Sequence, residues 1–229
     1  PGTTRDAIDV SFSYDETNIT LVDIVGVRRR GRIDAGIEKY SVLRSMRNIG
    51  SSYVCILVTD VSELVTSQDT HIAGYILDSF KGVIVVINKW DLAEHNLDKE
   101  TLIQQVQSRL KFIPYAPICF TSALQGTGVQ NVVETAITVY NEGKKLTPRG
   151  ELERTLQNAL SLHMPPSSKG LKIYRIYQKS TNPPTFVIFV NNPNLVHFSY
   201  KRYIENQIRL EFGFMGNPIH LIFSRRGRR

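Results

Sequence analysis

The chain has 229 residues, 41% of them hydrophobic, with 15 glycines and 10 prolines, which excludes a disordered or fibrous polypeptide and leaves room for two domains. Its formal charge of +7 is uneven: residues 1–142 carry 13 Lys and Arg against 17 Asp and Glu, a net −4, while residues 143–229 carry 15 against 4, a net +11, so the basic part is the one suited to a polyanion. No apolar run reaches the length of a membrane span, no signal peptide opens the chain, and its start on Pro1 instead of Met makes a piece of a longer protein the expectation. Cys55 and Cys119 lie far apart in the apolar runs YVCILV and APICF, with no C-x-x-C, and read as buried reduced thiols suited to a cytoplasmic location.

In chain order, Pro1 to Asp6 (PGTTRD) is a loop with two adjacent hydroxyls. Alternation then predicts a strand over 7–14, a hairpin turn over 15–18 and a second strand over 19–22. The second strand delivers Asp23 to its carboxyl end, the usual place for an acid that holds Mg²⁺ directly or through water. Three residues on, Gly26 would let a backbone N–H approach a terminal phosphate with no side chain in the way. Arg28 to Arg32 (RRRGR) is open to two readings, a solvated loop or a contact segment. Helical periodicity over 38–49 leads to an apolar strand over 53–60 and a helix over 68–80.

The stretch Gly82 to Asp91, GVIVVINKWD, is the most informative. Val83 to Asn88 opens with a β-branched run, as expected of a strand buried on both faces in a parallel sheet. Ligands of open α/β sheets sit at the carboxyl ends of the strands, which is where Asn88, Lys89 and Asp91 fall. Asn-Lys-x-Asp at such a place has the chemistry of a guanine-recognition box. A carboxylate accepts from the two adjacent N–H donors of guanine, which adenine lacks, and a lysine stem can lie along the base with its charge in water.

A helix over 97–112, punctuation at Pro114 and Pro117, and a strand over 118–121 follow. At that strand's end, Thr121-Ser122-Ala123-Leu124 could place backbone N–H groups against a guanine carbonyl. A helix over 126–141 closes the first domain, 1–142. Strands alternating with helices imply an α/β domain of right-handed βαβ units. The polar, Pro- and Gly-punctuated residues 143–150 read as a linker. Beyond them, a helix over 151–163, strands over 171–178 and 185–190, a helix over 198–212 and a strand over 219–223 make a small α+β domain with helices on one face of a three-stranded sheet. Tyr174 and Tyr177 interleave with Lys172, Arg175 and Lys179, a half-buried strand pattern more than a base-stacking one. The tail Ser224 to Arg229 (SRRGRR) is expected to be disordered and to attract phosphates. The five histidines form no metal-ligand spacing.

From PGTTRD through EKYSV, QDTHIAGY and NKWDL to LKIYRIYQ, PPTFVIFVNNP and HFSYKRYIENQIR, the chain resembles the EngA family of bacterial tandem GTPases, cytoplasmic ribosome-assembly factors of the Era-like group. The resemblance implies a second P-loop GTPase-type domain followed by a KH-like domain. It also implies GTP and GDP with Mg²⁺, a contact with the large ribosomal subunit or its precursor through rRNA, no membrane, and a monomer. By matching motifs, one of Thr3 and Thr4, preferably Thr4, would be the switch hydroxyl on Mg²⁺. Asp23 and Gly26 would serve Mg²⁺ and the γ-phosphate, Asn88, Lys89 and Asp91 the base, and Ser122 and Ala123 its carbonyl. Val27 follows Gly26, consistent with a group lacking the water-orienting glutamine, so hydrolysis would rest on positioning and charge neutralisation.

Three departures qualify this. No G-x-x-x-x-G-K-[ST] occurs, so the chain alone is expected to bind guanine nucleotide no better than about millimolar and not to turn it over. The family's central strand is absent too, so the strands at Ile19 and Tyr53 must pair directly or leave open edges prone to aggregation. Asp23 to Gly26 carries Ile24 and Val25 where the family prefers Thr and Ala, which puts the switch geometry in question. Gly213-Phe214-Met215-Gly216 matches the KH loop in letters but reads as a helix-to-strand turn. The competing functions are a plain RNA- or ribosome-binding module and a pseudo-GTPase.

Overall fold

The computed structural model describes residues 9–22, 46–93, 98–165 and 170–225. Thr3, Thr4, Asp23, Gly26, Val27, the basic run at 28–32 and most of the helix expected over 38–49 lie outside these residues; of that helix, 46–51 are helical.

Strands β1 (Asp9–Tyr14) and β2 (Thr17–Val22) pair antiparallel with Asp9 opposite Val22. The turn takes two residues and not four, because Asp15 and Glu16 both adopt positive φ, 42° and 62°, the geometry that matches a two-residue loop to strand twist. Tyr14 ties the hairpin to the rest of the domain, its hydroxyl donating to Glu134 Oε1 at 2.6 Å and accepting from Gln130 Nε2 at 3.0 Å.

Strands β3 (Val54–Asp60), β4 (Gly82–Asn88) and β5 (Ile118–Phe120) form a separate parallel sheet in the order β3-β4-β5. Among the described residues β2 pairs with β1 alone and β3 with β4 alone, so the strands at Ile19 and Tyr53 do not pair with each other. On β3, Ile56 and Val58 are 36% and 54% exposed. The β-branched run of β4 is buried along Gly82 to Ile87, and its alternation feeds two cores. Val83, Val85 and Ile87 meet α1 (Ser67–Asp78) and α2 (Lys99–Arg109), while Ile84 and Val86 meet α3 (Val129–Lys144). Thr66 and Asp69 form a reciprocal cap at the start of α1, and Asp98 caps α2, which sets their starts. Helix α3 begins three residues later than periodicity suggests because Gly128, at φ +75°, turns the chain into it. Cys55 and Cys119 are buried and free, and burial pushes the Cys55 thiol up to about 11.

After the four residues 145–148, α4 (Arg149–Leu162) opens the second domain, followed by β6 (Ile173–Ser180), β7 (Thr185–Val190), α5 (Phe198–Phe212) and β8 (His220–Arg225). The expected αββαβ order holds, with β6-β7 antiparallel, β7-β8 parallel, and Ile176, Phe186, Ile188 and Leu221 packed beneath Leu152, Leu156, Ile204 and Ile208. Composition predicts a disordered tail from Ser224, but β8 runs through Arg225, since Ser224 and Arg225 continue the ladder opposite Phe189 and Val190. Gly213 to Gly216 joins α5 to β8 as the turn the sequence indicates, with Gly213 at φ +84° ending the helix.

That turn docks on the first domain. Gly216 accepts from Val83 N at 2.8 Å and donates to Tyr115 O at 2.9 Å. Asn217 donates from Nδ2 to Val139 O at 2.7 Å, and Phe214 N donates to Glu142 Oε2 at 2.8 Å. The backbones approach so closely that a Cβ on Gly216 would fall 2.8 Å from Val139 Cγ1, and one on Gly143 2.7 Å from Asn217 Oδ1. Arg209 lies over the Tyr115 ring at 4.2 Å, and the Tyr115 hydroxyl is buried with no partner among the described residues. A buried hydroxyl without a partner carries a desolvation cost that phenylalanine avoids. Tyr115→Phe should leave stability unchanged or raise it by up to about 1 kcal/mol in urea denaturation.

Candidate nucleotide-base site

The carboxyl ends of β3, β4 and β5 carry a row of polar side chains, as expected where buried apolar strands end together at the rim of a parallel sheet. Asn88 closes β4 and reaches to β5's side, where its Oδ1 accepts from Thr121 Oγ1 at 3.1 Å and Ala123 N at 3.0 Å. Two backbone bonds reinforce the stitch, Thr121 N to Ile87 O and Trp90 N to Thr121 O, both 2.9 Å. Lys89 then turns the chain out of β4 in the left-handed region, φ +61°, into the 3₁₀ turn Trp90–Leu92, which carries Asp91. Ser122 Oγ donates to Asp91 Oδ1 and accepts from Gln125 N at 3.2 Å, so the buried Ser122 hydroxyl orients the carboxylate.

The structure thus brings Asn88, Asp91, Ser122 and Ala123 together, with Lys89 on the β3 side. The backbone N–H groups of Ser122 and Ala123 both have protein partners, Thr127 O and Asn88 Oδ1, each at 3.0 Å. Removing the Asn88 amide would strand Thr121 Oγ1 and the Ala123 N–H together. Asn88→Ala should cost about 1–3 kcal/mol and make the Ala123 amide exchange with solvent faster, measured by hydrogen exchange.

Sequence reasoning misses two participants. Thr121 reads only as part of the loop, yet it holds Asn88. Asp60 ends β3 directly beside Asn88 in the ladder and pairs with Lys89, Oδ2 to Nζ 2.5 Å. An acid at the end of the neighbouring parallel strand is a signal that could have found it. Lys89 and the Ser62 N–H and hydroxyl hold the Asp60 carboxyl down to about 2. Since this pKa is depressed, the pair's stabilisation is present above the ordinary carboxylate pKa of about 4 and is lost as pH falls through about 2. Lys89 is 54% exposed, so solvent limits the gain. Asp60→Asn should lower stability by at most about 1 kcal/mol at pH 7, with the difference from wild type vanishing near pH 2 in urea titrations. Trp90 packs edge-on against Phe120 at 4.7 Å, with Lys99 Nζ 5.3 Å from both rings, which buttresses the 3₁₀ turn from outside.

Among the described residues no His, Cys, Asp and Glu cluster suits a metal ion, and no helix is long and apolar enough to cross a membrane. Thr4, Asp23 and Gly26, the residues expected around Mg²⁺ and the γ-phosphate, lie outside the described residues.

Two family models match the chain: a 50S ribosome-binding GTPase over residues 1–89, and the KH-domain-like C-terminal part of EngA bacterial GTPase enzymes over 147–224. GTPase Der of Thermomicrobium roseum is 47% identical over all of this chain and 51% of its own length. The Caldanaerobacter subterraneus and Chloroflexus aggregans proteins of the same name are 47% and 44% identical, over 99% and 100% of this chain and 52% of their own lengths. The chain therefore spans about half the length of the curated relatives it matches. Among solved structures, Aquifex aeolicus Era bound to GDP·AlF4⁻ and Era in complex with MgGDPNP and a 16S ribosomal RNA segment share the fold, with TM-scores of 0.52 and 0.53. Both are 22% identical, over 98% of this chain and 82% of theirs. A GTPase-type parallel sheet followed by an EngA KH-like domain, with sequence identity running end to end, makes this chain a member of the GTPase Der family.

Proposed function

We propose that this chain supplies the guanine-reading part of a GTP-binding and GTP-hydrolysing ribosome-assembly factor. The observation that carries the reading is the interlock of two strand-end loops through Asn88, which presents the Asp91 carboxylate already oriented by Ser122. Asp91 would accept from the two adjacent N–H donors of guanine, and Asn88 Nδ2 would donate to the purine N7. The Ala123 N–H would be shared between Asn88 and the guanine carbonyl, while the Lys89 stem lies along the ring. Thr4, Asp23 and Gly26 are the residues assigned to Mg²⁺ and the terminal phosphate. The ion's chemistry there is neutralisation of phosphate charge.

The donor set fits a guanine base and supplies no phosphate cradle, in keeping with the lack of a Gly-rich Lys-Ser loop in the sequence. Three or four hydrogen bonds at about 1 kcal/mol each support an affinity of about a millimolar, and no turnover by the chain alone. The ribosomal contact, to the large subunit or its precursor through rRNA, is assigned to the second domain. Its support is the net +11 of residues 143–229 and the sheet face away from the core, where Arg175 lies 4.4 Å over Phe189 beside Tyr177. A groove of about 550 Å³ opens there between Arg149, Arg175 and Tyr177. The 50S ribosome-binding family model, which matches residues 1–89, supports the same partner.

An NMR titration with GDP, and with ADP as control, tests the base site. The expected result is millimolar binding of GDP alone, with shifts at Asn88, Asp91, Ser122 and Ala123. Equal shifts with ADP, or none with millimolar GDP, would overturn the reading.

A further inference from the structure

Asp60 is not among the residues expected to read the base, yet it is built into the same rim. It ends β3 in register with Asn88, and Val61 N donates to Asn88 O at 3.0 Å, so the β3 end is fixed against the β4 end that bears the site. Its carboxylate is oriented on one side by Ser62, whose N–H and hydroxyl donate to Oδ1 at 3.0 and 2.7 Å. Oδ2 is left facing Lys89 Nζ at 2.5 Å. The carboxylate is thus held by the backbone of its own loop before it meets the lysine. An ion pair with a 54% exposed lysine contributes little to folding, so the aimed geometry is not explained by stability.

We propose that Asp60 is a positioning residue for Lys89. It clamps the lysine head on the β3 side of the site, so that the stem forms a fixed apolar wall for a purine ring and the positive charge is taken up by Asp60. The proposal rests on the base-recognition reading above. A free lysine would have to lose its rotamer freedom on binding, whereas a clamped one has lost it already. The ordering of one long side chain corresponds to roughly a 2- to 12-fold change in affinity. Asn88 and Asp60 then divide the work: one locks the β5-side loop, the other locks the lysine on the opposite side.

The test is a four-member cycle, wild type, Asp60→Asn, Lys89→Met and the double variant, each titrated with GMP by NMR and each melted to confirm folding. Asp60→Asn keeps an Oδ1 for Ser62 and should fold. It is expected to weaken GMP binding several-fold in the wild-type background and to have no further effect in the Lys89→Met background. An Asp60→Asn loss of the same size without Lys89 would show that Asp60 acts through the rim's structure and overturn the proposal, as would unchanged affinity in the single variant. If wild type shows no preference for GMP over AMP, the base-recognition reading fails and this proposal with it. That outcome is recognised before any variant is compared.

Discussion

Phe214→Ala should cost about 3–5 kcal/mol, the penalty for emptying a fully buried aromatic site, and should uncouple the two domains. Phe214 is 0% exposed and meets Phe186 edge-on at 5.8 Å in the second domain's core, yet its backbone belongs to the turn that binds the first domain. Its N–H donates to Glu142 Oε2, its carbonyl accepts from Arg209 Nη1 at 2.9 Å, and Lys145, paired with Glu142 at 2.7 Å, donates to Phe212 O at 3.0 Å. Removing the ring therefore collapses a core and loosens the seam in one step. The single tryptophan, Trp90, lies in the first domain and reports on it alone. In urea, the Trp90 fluorescence and far-ultraviolet circular dichroism curves should coincide for wild type and separate for the variant, with the second domain melting first. A loss below about 1 kcal/mol would place the ring outside the energetics of the seam.

Asp91→Asn should invert base choice from guanine to xanthine. Guanine offers N–H donors at two adjacent positions, which a carboxylate accepts. Xanthine replaces one of them by a carbonyl, and an amide side chain, with one acceptor and one donor, complements that pattern. Each charge-assisted bond contributes about 1.5–3 kcal/mol, so the swing between bases is on the order of a hundredfold. The amide introduced by this substitution would still present an oxygen to Ser122 Oγ, so the loop is retained. The measurement is an NMR competition between GMP and xanthosine monophosphate. Binding of GMP by the variant at wild-type strength would show that Asp91 does not read the base.

Much of this was legible in the residues. The unbroken β-branched run of β4 is buried as its composition demands, and Asn88, Asp91, Ser122 and Ala123 meet because two parallel strands end side by side. The strand at Thr185 to Val190 and the helix at Phe198 to Phe212 fall where alternation and periodicity put them. Three kinds of feature were not legible. The start of α3 depends on a left-handed Gly128, a backbone property that periodicity ignores. The reach of β8 into Ser224 and Arg225 depends on partners in β7, which local composition does not reveal. The Val139–Asn217 seam joins residues distant in the chain, and only the docking of the second domain on the first brings them within bonding range.

Strand β4 is gripped at both ends. At its amino end Val83 donates to Gly216 of the second domain, and at its carboxyl end Asn88 accepts from Thr121 and Ala123 beside the proposed base site. Its amides are therefore expected to open to solvent only when both domains let go, and to exchange slowly. A ligand seated at one end then adds protection at the other, by the ordinary linkage of binding to unfolding and with no movement of the backbone. Deuterium uptake along Val83 to Ile87 would thus register occupancy of the base site at a distance, from the end that the second domain holds.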